Sequence, residues 1–170
     1  PDVLAVEKID IYHAQTTRSS PGWALDRLDE QYPNTPDNTF NYTHTGAGRT
    51  IYILDSGMDT ATLPYFGTRA TMFHDWNPGG TGQDQTGHGT VVASIAAHGT
   101  YGVAKGATVR IVKVTYLSTI GVDGQYVIDS FNWLALNAPN GTIVNFSYGT
   151  VNCAATATNT ATAMIAASNA

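Results

Sequence analysis

The stretch TIYILDSG, residues 50–57, carries an unbroken apolar run from Ile51 to Leu54. A run that short with no polar alternation is the pattern of a strand covered on both faces, as in a parallel sheet. Asp55 falls just past the carboxyl end of that strand, and Gly57 permits a sharp exit. Three more segments read as strands: ATVRIVKV (107–114), GTIVNFSYG (141–149) and AMIAASN (163–169). Helical spacing falls between them. TVVASIAA, Thr90 to Ala97, sets Val91, Val92 and Ile95 on or near one face, and YVIDSFNWLALN (126–137) sets Val127, Phe131, Leu134 and Ala135 at helical intervals. CAATATNTATA reads as a short helix despite its many threonines. Strands alternating with helices make an α/β fold. Ahead of this core, residues 1–13 alternate as a short edge strand would. Residues 14–48, with Pro21, Pro33 and Pro36, read as extended surface chain, and 67–87 as a loop.

A chain of 170 residues is one domain or part of a larger one. With 42% hydrophobic and 12% charged residues it can bury a core. A net charge of −5 with no basic patch argues against a nucleic-acid partner. No apolar run approaches the roughly 20 residues that span a bilayer, so no membrane partner is expected. The first residues, PDVLAVEKID, hold neither an initiating Met nor a signal-peptide pattern, as expected of a chain cut from a longer precursor. Cys153 is the single cysteine, which excludes an internal disulfide and a Cys-based zinc site. The sequons at Asn41, Asn140 and Asn145 suit a secreted protein.

In open α/β sheets, sites gather outside the carboxyl ends of the strands. Those ends here carry Asp55, then Ser147, Tyr148 and Gly149, then Asn169, and His88 at a helix entrance can lean into the same rim. A carboxylate on one imidazole nitrogen would fix the tautomer, leaving the other nitrogen as a general base. Gly87 and Gly89 flank the ring, and would leave room there for a substrate backbone and a nucleophile. Plainer readings stay open. Asp55 could be an ordinary strand-end aspartate, His88 a solvated loop histidine, Ser147 and Tyr148 strand-end packing, and Asn169 an ordinary residue near the end of the chain. Cys153 reads as a small hydrophobe rather than a nucleophile, and Trp23, Trp76 and Trp133 as core or loop anchors. His13, His44, His74 and His98 lack the His-x-x-x-His spacing of a helical zinc site.

In that order, ILDSG, GHGTVVASIA, TYGVAKGATVRIVKV, IVNFSYG and MIAASN resemble the subtilases, most closely their proteinase K-like branch. The resemblance implies a subtilisin-like α/β fold with a mainly parallel sheet flanked by helices. It implies a serine endopeptidase acting on peptide or protein substrates through an Asp, His, Ser triad. Asp55 matches the triad aspartate, His88 the triad histidine and Asn169 the oxyanion-hole asparagine. Ser147, Tyr148 and Gly149 match the segment lining the first specificity pocket, and Gly124, Gln125 and Tyr126 resemble the opposing substrate-binding strand. PDVLAVEKID followed by AQTTRSSPGWALDRL is similar to the family's join between inhibitory propeptide and mature enzyme. That makes residues 1–13 a propeptide remnant and 14–170 the N-terminal part of the catalytic domain, in a secreted zymogen.

The chain also departs from the family pattern. No Gly-Thr-Ser-Met-Ala nucleophile segment occurs in it, Val91 stands where a second His is common, and Ser168 stands where Gly usually precedes the asparagine. The stretch from Gly149 to Asn169 is short for the family, and Thr50 stands where a half-cystine would precede the first strand. The expectation is therefore a fold truncated before its C-terminal half, inactive by itself and unstable or aggregating in isolation. The alternatives are a non-catalytic, peptide-binding relative of the subtilases and a cysteine hydrolase using Cys153. Calcium sites are common in the family, but their ligands would lie largely beyond this chain, so no cofactor and no metal ligand is assigned.

Overall fold

The computed structural model describes residues 16–30, 36–115, 122–148 and 156–169. The proposed edge strand and propeptide boundary at 1–13, together with Gly149 and Cys153, lie outside the described residues. The chain divides into two compact units, residues 1–44 and 45–170.

In the first unit, strand β1 (Thr16–Ser19) pairs antiparallel with β2 (Thr39–Tyr42), and a single helical turn, α1 (Trp23–Asp26), lies between them in sequence. The expected extended surface chain is thus a small sheet. Its loop is fastened by carboxylates: Asp29 accepts from the Asn41 backbone at 2.7 Å and Asp26 from the Thr39 backbone at 3.2 Å.

The second unit is built on a four-stranded parallel sheet, order β4–β5–β3–β6. Its strands are β3 (Thr50–Asp55), β4 (Ala70–Asp75), β5 (Thr108–Lys113) and β6 (Ile143–Phe146). The unbroken apolar run of β3 has the predicted cause. Ile51 and Ile53 face one side, with Val109, Ile111, Phe66, Met58 and the alanines of α2 (His88–Ala97). Tyr52 and Leu54 face the other, with Val112, Val114 and Val127, Phe131 and Leu134 of α3 (Gly124–Asn137). Ile53 and Leu54 are both fully buried, as a strand with helices on each face requires.

Two expectations are corrected, for 67–87 and for 163–169, and helix α2 shows which of its faces is buried. The 67–87 segment is not all loop, because Ala70–Asp75 adds the edge strand β4, whose outward residues are polar or exposed and so leave no apolar run. Helix α2 turns Val91 and Ile95 outward, 56% and 62% exposed, and packs inward on Ala93 and Ala97, whose small side chains let the helix close on the sheet. The segment 163–169, expected as a fourth strand, belongs to a helix, α4 (Thr156–Ser168). Ala163 packs into the α3 face while Ile165 is 60% exposed, a spacing a strand would not produce, and the alanines favour helix locally.

Candidate active site

Asp55 ends β3 at the carboxyl edge of the sheet and is fully buried. His88 is the first residue of α2, and its side chain is 46% exposed. The two meet with His88 Nδ1 2.8 Å from Asp55 Oδ1. A carboxylate only accepts, so Nδ1 carries a proton in this contact, and in the neutral ring Nε2 keeps its lone pair. Asp55 Oδ1 also accepts from the Ser56 backbone at 2.7 Å and from the Tyr148 hydroxyl at 3.2 Å. Oδ2, equally buried, accepts from no described residue.

A second carboxylate, Asp84, holds the chain around this pair. Its Oδ1 accepts from Ser56 Oγ (2.8 Å), from the Gly87 backbone (2.9 Å) and from the Thr86 backbone (3.0 Å). Its Oδ2 accepts from the backbone and hydroxyl of Thr90 at 2.9 and 2.6 Å. Ser56 Oγ in turn accepts from the Gly89 backbone at 2.9 Å. The N–H groups that open a helix have no partner within it, and here Asp84 and Ser56 take those of Gly89 and Thr90. Burial pushes the Asp84 carboxyl up, but hydrogen bonds from Thr90, Ser56 and Thr86 outweigh it and hold the group at about 2.

Lys113 ends β5 in register with Asp55 and is 1% exposed. Its Nζ donates to Ser56 O (2.6 Å), Gln83 O (2.9 Å) and Gln85 Oε1 (2.7 Å), tying the exit of β3 to the loop that leads to His88. Burial lowers its pKa, against the attraction of Asp75 and Asp84. Neither Asp84 nor Lys113 was picked out from the sequence. The charge at Lys113, inside the apolar run RIVKV, was a usable signal, whereas Asp84 sits in a polar loop with nothing to distinguish it.

The glycines beside His88 act differently from the expectation. A Cβ on Gly89 would collide with Gly57 O and lie 3.1 Å from both Cβ and Oδ1 of Asp55. Gly89 is therefore bare so that α2 can approach β3, not to admit a substrate. Gly87 does face open space, with φ +82.

The other nominated residues fall in several places. Tyr148 joins the pair, its ring 5.5 Å from that of His88. Ser147 is exposed, and its hydroxyl accepts from Asn145 Nδ2 at 2.8 Å. Gly124, Gln125 and Tyr126 form no strand. They are the first turn of α3, because the Asp123 side chain caps that helix by accepting from the Gln125 backbone at 2.7 Å. Asn169 follows α4, exposed, in a hollow with Gly141, Thr142 and Val144 at the amino end of β6. Because β6 runs parallel to β3, that is the opposite end of the sheet from Asp55, so an oxyanion-hole placement beside His88 is not found.

Among the described residues one group could hold a cation. Carboxylate oxygens of Asp26, Glu30 and Asp37, in the first unit, lie within 4.8 Å of one another. Each already accepts a backbone N–H, from Thr39, Asp37 and Thr39 respectively, which accounts for their convergence.

Residues 46–170 match the family model described as "Subtilase family". Over 150 residues the chain is 34% identical to an extracellular serine proteinase of Thermus sp. (strain Rt41A), covering 88% of this chain and 36% of that protein. It is 36% identical over 128 residues to subtilisin-like proteinase Mp1 of Magnaporthiopsis poae, covering 73% of this chain and 31% of the relative. A crystal structure of a cold-adapted subtilisin-like serine proteinase superposes with a TM-score of 0.73 at 27% identity, over 87% of this chain and 54% of that one. The chain thus spans about a third of the length of these curated relatives.

Proposed function

The chain belongs to the subtilase family, and on that premise we propose that it carries the Asp and His of a secreted serine endopeptidase. The observation that supports this most directly is the 2.8 Å contact between a fully buried Asp55 and a half-exposed His88. Asp55 orients the ring and stabilises the imidazolium that forms. His88 Nε2 takes the proton from a serine hydroxyl as the oxygen attacks a peptide carbonyl, then returns it to the leaving amine. No Gly-Thr-Ser-Met-Ala segment lies within these residues, so the serine would come from outside the 170. Secretion is supported by the printed name of the Thermus relative, an extracellular proteinase.

A second reading, a non-catalytic peptide-binding subtilase relative, is favoured by that missing segment alone. Hydrolysis of a chromogenic peptide by a full-length protein that contains these residues together with the serine segment, with and without His88→Ala, separates the two. The protease reading expects turnover in the unsubstituted protein that vanishes in H88A. Peptide binding with no turnover in either form leaves the binding module, and turnover unchanged in H88A removes the proposed base.

A further inference from the structure

We propose that Tyr148 is a positioning residue that acts on His88 through Asp55, its hydroxyl drawing charge from the oxygen that holds the imidazole. The proposal rests on the Asp55–His88 pairing above and goes beyond pocket lining, the role its segment would have by resemblance.

Every described hydrogen bond to Asp55 converges on Oδ1, from Ser56 N, His88 Nδ1 and Tyr148 Oη, and none reaches the buried Oδ2. Donors sharing one acceptor oxygen compete for its electron density, and a hydrogen bond to a charged group is among the stronger kinds. At 3.2 Å the Tyr148 bond is the longest of the three, so it moderates the His88 contact without replacing it. The Tyr148 ring is fixed between neighbours, 5.5 Å from the His88 ring and 5.8 Å from Phe146, and this aims its hydroxyl at the carboxylate. The phenol stays protonated: burial, then the Asp55 charge and hydrogen bond, raise its pKa.

The charged groups around this contact come from every neighbouring element: Asp55 on β3, His88 on α2, Asp84 in the loop before α2 and Lys113 on β5, with Asp75 of β4 beyond Lys113. Asp84 and Lys113 reach the pair through Ser56 Oγ and Ser56 O, so among the described residues only Tyr148 adds a direct side-chain donor to the oxygen that His88 uses.

Proton NMR of the full chain tests this, with the chain labelled at its histidine nitrogens and the His88 signal identified by its loss in His88→Gln. In the wild type, His88 Nδ1–H should resonate far downfield, as a proton held by a carboxylate does. Tyr148→Phe keeps the ring packing and removes the hydroxyl, so the resonance should move further downfield by more than a linewidth. Tyr148→Leu, which also lacks the hydroxyl, should move it the same way. In an Asp55→Asn background the Tyr148 substitutions should do nothing. A downfield resonance that disappears in D55N yet stays put or moves upfield in Y148F and Y148L overturns the role of Tyr148 alone. No downfield resonance in the wild type, or one that survives D55N, overturns the Asp55–His88 pairing and this proposal with it.

Discussion

Ser56 Oγ and Asp84 Oδ1 lie 2.8 Å apart across 28 residues of chain, and this buried bond joins the residue after Asp55 to the loop before His88. With the Asp84 bonds to Thr86, Gly87 and Thr90, it sets where the imidazole stands relative to its carboxylate. The Asp55–His88 pair is short-range in space and long-range in sequence. Something other than the pair must hold the two chain segments together, and Asp84 does so through Ser56 Oγ and Lys113 through Ser56 O.

Asp84 makes the fold acid-sensitive in a defined window. A carboxyl held at about 2 in the fold, against 3.8 for the ordinary group, favours folding at every pH above 3.8. That contribution is lost as pH falls from about 4 through about 2, and a shift of this size corresponds to roughly 2 kcal/mol. Asp84→Asn should therefore be less stable at neutral pH by about that amount and should show a flatter stability curve between pH 4 and 2. Urea melts at stepped pH measure both. An acid limb identical in variant and wild type would rule out Asp84 as its source.

Gly89 should tolerate no side chain. The Cβ in Gly89→Ala would press on Gly57 O and on Asp55, so α2 must back away from β3 and the Asp55–His88 contact opens. Gly87→Ala meets nothing within 4 Å and bears only the strain of its positive φ, about 1 kcal/mol. Thermal melts should rank G89A well below G87A, and the downfield His88 proton should survive in G87A only. Equal melting temperatures would mean that helix and strand are not in close contact.

The contrast between these residues explains what could be read from the chain in advance. Asp55 and His88 were visible because each adjoins a strong local pattern, an apolar run and a glycine-flanked helix start. β3, β5 and α3 were visible because burial on a sheet face or a helix stripe leaves a period in the sequence. β4 was not, since an edge strand with residues such as Phe73 partly exposed carries no such period. The family resemblance places the first turn of α3 in a strand, whereas Asp123 is a good cap residue and starts a helix there. Asp84 was invisible for another reason. Its importance lies in six hydrogen bonds to groups on either side of two distant residues, and no one-dimensional pattern records that.

Lys113 should matter for stability through the oxygens it serves. Lys113→Met fills the same space and removes the cost of burying a charge, but strips a donor from Ser56 O, Gln83 O and Gln85 Oε1. Leaving buried acceptors unpaired costs about 1–3 kcal/mol each where water cannot reach them. The substitution should lower the urea midpoint at unchanged slope. A midpoint equal to or above that of the wild type would show that desolvating the ammonium costs more than its bonds return.

The end of the chain offers the sharpest contrast between strand and helix. On a strand, Ala163, Ile165 and Ala167 would share one face. On α4, Ala163 is 4% exposed against Phe131 and Leu134, while Ile165 is 60% exposed. Ile165→Asn should then change stability by no more than about 0.5 kcal/mol, as surface substitutions do. Ala163→Asp places a carboxylate in an apolar cluster and should cost about 2 kcal/mol or more. Chemical denaturation of the two variants decides the matter. A severe loss in I165N would restore the strand, and with it the placement of Asn169 at the carboxyl edge beside Asp55 and His88. A mild one leaves Asn169 at the far end of the sheet, away from Asp55 and His88.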